Sequence, residues 1–285
     1  MRIGLGIAST GPQSRPATLL ECARAVEDAG FSDVWLPDRI AVTPEESPET
    51  GRCLDSLSTL AWLAGQTKRV GLGMSALILP YRPPLLTAKT LATLQDLSGG
   101  RLLIGAGVGW KPLDFEVLGV PRSERGRRMD ETLQFIHQCF EDDIMTANGQ
   151  DFIFLPRPQK PPLYIGGAGD HALRRTIKYG DGWMPMLPWF IDRPDTVAAK
   201  ELAPTCALLR EMAEEAGRPR PEVIVGVDFD PKSAQDLSER FELMQEAGVD
   251  GIVTGAPFEG ADEFKRNLEF LFENLPRWAA PAPQT

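Results

Sequence analysis

The sequence predicts a (β/α)8 TIM barrel, an α/β fold with small insertions, and three observations predict it. The first is a repeated helix-to-strand joint: Ala29-Gly30-Phe31-Ser32-Asp33-Val34-Trp35, Tyr179-Gly180-Asp181-Gly182-Trp183 and Ala247-Gly248-Val249-Asp250-Gly251-Ile252. In each, a glycine suited to the left-handed residue after a helix precedes an aspartate, and a large apolar residue follows two positions after it. The second is an alternation of eight short apolar runs with amphipathic helical stretches, the pattern of parallel strands buried on both faces. The third is length, because 285 residues suit one barrel as well as two average domains. A doubly wound open sheet is the fold-level alternative.

The strands fall near residues 3–8, 34–37, 70–77, 102–106, 163–165, 183–186, 223–227 and 251–253. Between them Leu19, Cys22, Ala23 and Val26 share one helix face, as do Ala234, Leu237, Phe241 and Met244, and Phe264, Leu268, Leu271 and Phe272. Residues 143–156 break the repeat with a turn at Asn148-Gly149 and read as a small hairpin. Residues 37–52 form a long loop after the second strand, at the end of a barrel where chemistry is usually built. No linker divides the chain: residues 1–278 form the barrel domain and residues 279–285 a frayed tail.

Composition narrows the function classes. With 42% hydrophobic and 25% charged residues the chain is an ordinary globular protein, and a formal charge of −10 argues against a nucleic-acid partner. An anion site must therefore be local. Cys22, Cys53, Cys139 and Cys206 are far apart and the histidines are His137 and His171, so no metal site is expected. No apolar run approaches the roughly 20 residues that span a bilayer, and Met1-Arg2-Ile3-Gly4-Leu5 begins as a strand rather than a signal peptide. The expectation is a reduced, cytoplasmic protein with no membrane partner.

Leu163-Tyr164-Ile165-Gly166-Gly167-Ala168-Gly169 runs from a strand through glycines into a helix, where bare backbone N–H groups allow close approach of a phosphate. A tight strand-to-helix turn with no ligand is the competing reading. Asp170 is an N-cap candidate whose charge would oppose a phosphate, and His171 could donate to an anion or lie on the surface. The strand ends supply Asp38-Arg39, Ser75-Ala76, Gly107-Val108-Gly109-Trp110, Gly166-Gly167 and Trp183. Without a histidine, a Ser-His-Asp triad or paired carboxylates, this set does not favour hydrolysis by side chains. Its glycine, small residues and tryptophan suit a flat ring lying against backbone, so a redox cofactor would supply the chemistry. In Gly105-Ala106-Gly107-Val108-Gly109-Trp110 the sixth position is not glycine, which rejects a dinucleotide fingerprint. His137 reads as structural, and the charged run from Arg125 to Glu131 as a solvated network.

Six segments then resemble the bacterial luciferase-like family of flavin- and deazaflavin-dependent oxidoreductases: Gly30 to Asp38, Leu79 to Pro84, Leu97 to Leu102, Phe115 to Pro121, Glu124-Arg125-Gly126 and Pro162 to Gly167. The resemblance implies a barrel whose cofactor lies across its C-terminal face, with the phosphate near Gly166, Gly167, Ala168 and Gly169 and the ring near Ser75, Ala76, Gly107, Val108 and Gly109. The chain is most similar to the branch using coenzyme F420, which shuttles hydride, and that branch implies a non-prolyl cis peptide at Ser75-Ala76. FMN is the alternative cofactor. Asp38, Arg39 and Trp110 stand where relatives carry catalytic groups. Relatives commonly place histidine at Arg39, and those that oxidise glucose 6-phosphate place glutamate at Trp110, so sugar-phosphate oxidation is not expected and no proton donor is assigned. The expected activity is hydride transfer between F420 and a small organic substrate. An FMN-dependent monooxygenase and a cofactor-binding protein without catalysis are the alternatives, and a homodimer is left open.

Overall fold

The computed structural model describes residues 1–47, 51–185, 195–227, 229 and 237–275. Eight parallel strands form a closed barrel: β1 (Arg2–Gly6), β2 (Asp33–Leu36), β3 (Gly71–Ile78), β4 (Leu102–Gly107), β7 (Leu163–Gly166), β8 (Gly182–Met184), β9 (Glu222–Gly226) and β10 (Gly251–Thr254). Between β4 and β7 lies the antiparallel hairpin β5 (Met145–Ala147) and β6 (Gln150–Phe152), turned by Asn148 and Gly149, both with positive φ. The circular order β1-β10-β9-β8-β7-β4-β3-β2 closes the sheet and excludes the doubly wound alternative.

The helices around it are α1 (Pro16–Asp28), α2 (Ser56–Ala64), α3 (Pro84–Leu97), α4 (Pro112–Val117), α5 (Arg125–Glu141), α6 (Asp170–Tyr179), α7 (Asp195–Glu215), α8 (Leu237–Glu246) and α9 (Ala261–Asn274). Proline opens α1, α3 and α4, where its missing N–H costs nothing and its fixed φ suits a first turn. Leu19, Cys22, Ala23 and Val26 form the buried face of α1 as expected. On α9 the buried face is Phe264, Asn267, Leu268 and Leu271, whereas Phe272 is exposed. Ala234, the tail and most of the loop after β8 lie outside the described residues.

Two of the three joint glycines, Gly30 and Gly248, adopt positive φ, at 79° and 100°. Gly180 does not. It is extended, and glycine is required there by crowding, since a Cβ would sit 3.0 Å from the Gly182 carbonyl and from Ile165 Cγ1.

Alternation along the strands separates two cores. Ile3, Leu5, Val34, Leu36, Ile104 and Ile165 face the helices, while Trp35, Leu103, Tyr164, Met184 and Ile224 cluster inside the barrel. Glycines make room for that inner cluster: a Cβ on Gly4 or Gly73 would collide with the Trp35 indole, and one on Gly182 with the Tyr164 ring. Toward the N-terminal end, Arg2 grips the buried Asp33 through two 2.6 Å bonds and Tyr164 donates to Glu222 at 2.8 Å. This charged plug closes one end.

Candidate functional site

The glycines at Gly4, Gly105 and the inward residues Tyr164 and Ile224 fix the parity of their strands. Two residues further on, β1, β4, β7 and β9 end in Gly6, Gly107, Gly166 and Gly226. The barrel therefore finishes at its C-terminal mouth in a layer almost without side chains. A Cβ on Gly6 or Gly226 would meet nothing closer than a carbonyl oxygen at 3.9 or 4.0 Å. Ala76 covers part of this floor, with its Cβ 3.3 Å from the position a Gly107 Cβ would take and 3.7 Å from that of Gly166. The Ser75-Ala76 peptide is cis, and the β3–β4 register shifts between Ser75 and Leu77. Ala76, Gly107 and Gly166 thus share one surface with Ser75 next to it in the chain, and Gly6 and Gly226, which end β1 and β9 at the same level, were not read from the sequence. Alternate glycines in Arg2-Ile3-Gly4-Leu5-Gly6 are the signal that could have found the first.

Beside the floor, β7 runs into the glycine loop and α6. Gly167 and Gly169 have φ of 112° and 81°, so both occupy backbone that disfavours side chains. Gly169, not Asp170, is the N-cap, and no side chain caps the helix. The Ala172 N–H bonds the Gly169 carbonyl at 3.0 Å, so the N–H groups of Asp170 and His171 are the ones the first turn offers an external acceptor. Asp170 turns outward, 75% exposed, to pair with Arg174 at 3.1 Å, which removes the expected conflict with an anion. The loop borders a cleft of about 860 Å³ that also takes in Val108, Ala168 and His171 and the N-terminal part of α5.

Trp183 faces away from the mouth and packs behind the glycine loop, its indole N–H donating to the Gly167 carbonyl at 2.8 Å. Trp110 is 77% exposed and contributes nothing to the core. Gly109, at φ 81°, packs against Ile78 and Phe115, where a Cβ would come within 3.0 Å. His137 is structural, its Nε2 lying 2.7 Å from the Tyr179 carbonyl.

The loop after β2 supplies the polar wall. Asp38 is 1% exposed and accepts from the Ile78 N–H at 2.9 Å and from both terminal nitrogens of Arg82 at 2.6 and 2.8 Å, so it anchors the end of β3 rather than presenting a free acid. Arg39 reaches Glu46 at 2.8 Å, the loop-holding pairing that competes with a role toward a ligand. Lys111 donates to the other Glu46 oxygen at 2.7 Å and to the Ala41 carbonyl at 3.1 Å. The Thr43 N–H adds a 3.0 Å bond to that oxygen. The Lys111 hydrogen bond, followed by that of Thr43, draws the Glu46 carboxyl down to about 2, so it stays ionised across the neutral range. Asp114 holds the same loop from α4, accepting from the Ala41 N–H at 3.2 Å and the Tyr81 hydroxyl at 3.1 Å. Burial, reinforced by Asp114, pushes the Tyr81 hydroxyl up, so it remains protonated. Lys111, Asp114 and Tyr81 were not read from sequence as site residues.

Among the described residues no group of three or more His, Cys, Asp or Glu is placed to hold a metal, and no helix is long and apolar enough to cross a membrane.

A closed parallel barrel whose strands end in glycines at its C-terminal mouth, beside a glycine loop that no side chain caps, defines a (β/α)8 protein. The sequence pattern of the family described as luciferase-like monooxygenase matches residues 2–275, and the chain belongs to that family. Among curated proteins it is 29% identical over 248 residues to the F420-dependent glucose-6-phosphate dehydrogenase of Kineococcus radiotolerans, covering 82% of this chain and 70% of that one. Among solved structures it matches an F420-dependent secondary alcohol dehydrogenase in complex with an F420-acetone adduct, with a TM-score of 0.78, 20% identity and coverage of 97% and 98%. It also matches a riboflavin lyase with modified FMN, with a TM-score of 0.73, 14% identity and coverage of 100% and 94%.

Proposed function

We propose that this protein is an F420-dependent oxidoreductase that transfers hydride between the deazaflavin and a small organic substrate. The observation that carries the reading is the pairing of a side-chain-free floor at Gly6, Gly107, Gly166 and Gly226 with an uncapped glycine loop beside it. The floor accepts a flat ring against backbone, and the loop offers N–H donors to a phosphate. When bound, the deazaflavin supplies the hydride chemistry. Ala76, Gly107 and Gly166 support the ring from below. Gly167, Ala168 and Gly169 hold the phosphate and fix the ring's direction across the mouth.

Arg39, Glu46 and Lys111 close one side of the pocket and orient the substrate. The Glu46 carboxyl is drawn down to about 2, so it does not serve as proton donor near neutral pH. Arg39 also stands where family members commonly carry histidine, and the exposed Trp110 where sugar-phosphate oxidisers carry glutamate. A small substrate other than a sugar phosphate follows from those two positions. A homodimer is left open, and the proposed setting is reduced and cytoplasmic.

FMN-dependent monooxygenation is the second reading, favoured by the FMN-containing neighbour. Fluorescence titration of the apo protein with F420 and FMN separates the two, followed by mixing each reduced complex with oxygen. Tighter F420 binding and slow reaction with oxygen support the first; tighter FMN binding and rapid oxygen consumption replace it with the second.

A further inference from the structure

The barrel strands follow one another in the ring β1-β10-β9-β8-β7-β4-β3-β2, so β1 stands four places from β7, directly across the mouth from the glycine loop. On that far side a recess of about 300 Å³ lies between the ends of β1 and β10. Gly6 and Ala8 line it from β1, Gly255, Pro257 and Phe258 from the chain after β10, and Gln13 from the loop after β1. Among the described residues no charged side chain lines it. At the roughly 30 Å³ that a water takes in the liquid, the recess has room for about ten non-hydrogen atoms. The charged groups of the pocket wall, Arg39, Glu46 and Lys111, come instead from the loops after β2 and β4.

Both sides of the recess are held in place. Phe258 meets Phe264 edge to face, with ring centroids 5.0 Å apart, and the Asn267 amide donates to the Pro257 carbonyl at 3.3 Å, so α9 fixes the β10 side. The turn that carries Gln13 is stitched on both flanks. The buried Ser14 hydroxyl donates to the Gly11 carbonyl at 2.7 Å, the Gly11 N–H to the Arg52 carbonyl at 2.8 Å, and the Arg52 guanidinium to the Ser14 carbonyl at 3.0 Å. The Gln13 backbone carbonyl accepts from the Arg15 N–H at 2.8 Å, while its side-chain amide has no partner among the described residues.

We infer that this recess is the specificity subsite for the substrate and that the substrate is uncharged, with a compact apolar group seated against Gly6, Ala8 and Phe258 and a neutral oxygen, carbonyl or hydroxyl, meeting the Gln13 amide. The inference rests on the reading that the cofactor's phosphate sits at Gly167 to Gly169, which leaves the β1–β10 side of the mouth to the substrate. A carboxylate or ammonium placed in the recess would lose its water with no opposite charge to replace it. The Gln13 amide carries both donors and an acceptor, so it serves either kind of neutral oxygen, and its stitched turn lowers the ordering cost of binding.

The test is a saturation-transfer NMR titration of the full-length protein, both apo and saturated with F420, with two probes of the same ring: neutral cyclohexanone and anionic cyclohexanecarboxylate. Wild type is compared with Gln13→Leu, which removes the amide at similar size, and with Ala8→Leu, which fills the recess. Thermal unfolding and F420 affinity of each protein are measured alongside. The wild type is expected to bind cyclohexanone at least about tenfold more tightly than the carboxylate. Gln13→Leu should weaken cyclohexanone about fivefold, the loss of one neutral hydrogen bond, and Ala8→Leu about tenfold through overpacking. If Ala8→Leu does not fold, Gln13→Leu decides alone. No binding of cyclohexanone, equal affinity for the two probes, or wild-type affinity in the folded variants overturns the subsite, and normal F420 binding then leaves the cofactor reading standing. F420 that does not bind, with the probe pattern intact on the apo protein, removes the cofactor reading and supports the recess.

Discussion

The Trp183 indole N–H donates to the Gly167 carbonyl at 2.8 Å and ties β8 to the glycine loop from behind. Trp183 is almost fully buried, so this bond holds the loop from the core side, where Gly167 has a φ of 112°. Trp183→Phe keeps an aromatic ring in the core and deletes the donor. The expected loss is about 1 kcal/mol of folding stability, with some further cost from the smaller ring. Affinity for a phosphate-bearing deazaflavin should fall more than affinity for the same ring without phosphate. Calorimetric unfolding and paired titrations measure both, and equal losses for the two ligands would show that the loop does not hold the phosphate.

Asp38 gives a second expectation, because its carboxylate is buried and held bidentately by Arg82. Asp38→Ala leaves the Arg82 guanidinium, 15% exposed, with Asp55 at 3.7 Å as its remaining carboxylate, and should cost about 3 kcal/mol. If Asp38 acts by anchoring β3, adding Arg82→Met to Asp38→Ala recovers much of the stability and part of the turnover. A stable double variant with no recovery of turnover would return Asp38 to a direct catalytic role.

Local pattern made the barrel legible. The apolar runs and the joints at Gly30, Gly180 and Gly248 are set within a few residues, and the strands fall where those patterns place them. The glycine loop was legible in its strand-to-glycine-to-helix pattern, and the cis peptide at Ser75-Ala76 through the family resemblance. Strand parity decides Trp183: it follows the inward Gly182 and precedes the inward Met184, so it must face the helices, a distinction an apolar run conceals. The Glu46–Lys111 pair joins positions 65 residues apart and leaves no local trace.

That pair carries a pH prediction. The Lys111 hydrogen bond draws the Glu46 carboxyl below its ordinary value of 4.5, to about 2. A depressed carboxyl stabilises the folded loop at pH values above its unfolded value, and the contribution disappears as pH falls through the folded one. The contacts of residues 39–46 should therefore hold from neutral pH to about 4.5 and loosen between there and about 2. Hydrogen exchange over this loop, measured against pH, should show loosening there in the wild type and a flatter profile in Glu46→Gln. Identical profiles would mean that Glu46 does not hold the loop.

Gly6 gives the most direct test of the floor. It ends β1 at the C-terminal mouth, with ordinary extended backbone, and a Cβ there would meet only the Thr254 carbonyl at 3.9 Å. Gly6→Ala should leave the fold unharmed and could add about 0.4–1 kcal/mol by restricting the unfolded chain. Gly6→Val adds branched bulk above the floor. The ring must then share that volume, and overpacking of about 1–3 kcal/mol corresponds to a loss of roughly one to two powers of ten in cofactor affinity. Unfolding of the apo variants beside titration with F420 and FMN reads both sides of the argument. A Gly6→Val protein that folds normally and binds either cofactor at wild-type affinity would move that ring away from the strand-ending glycines.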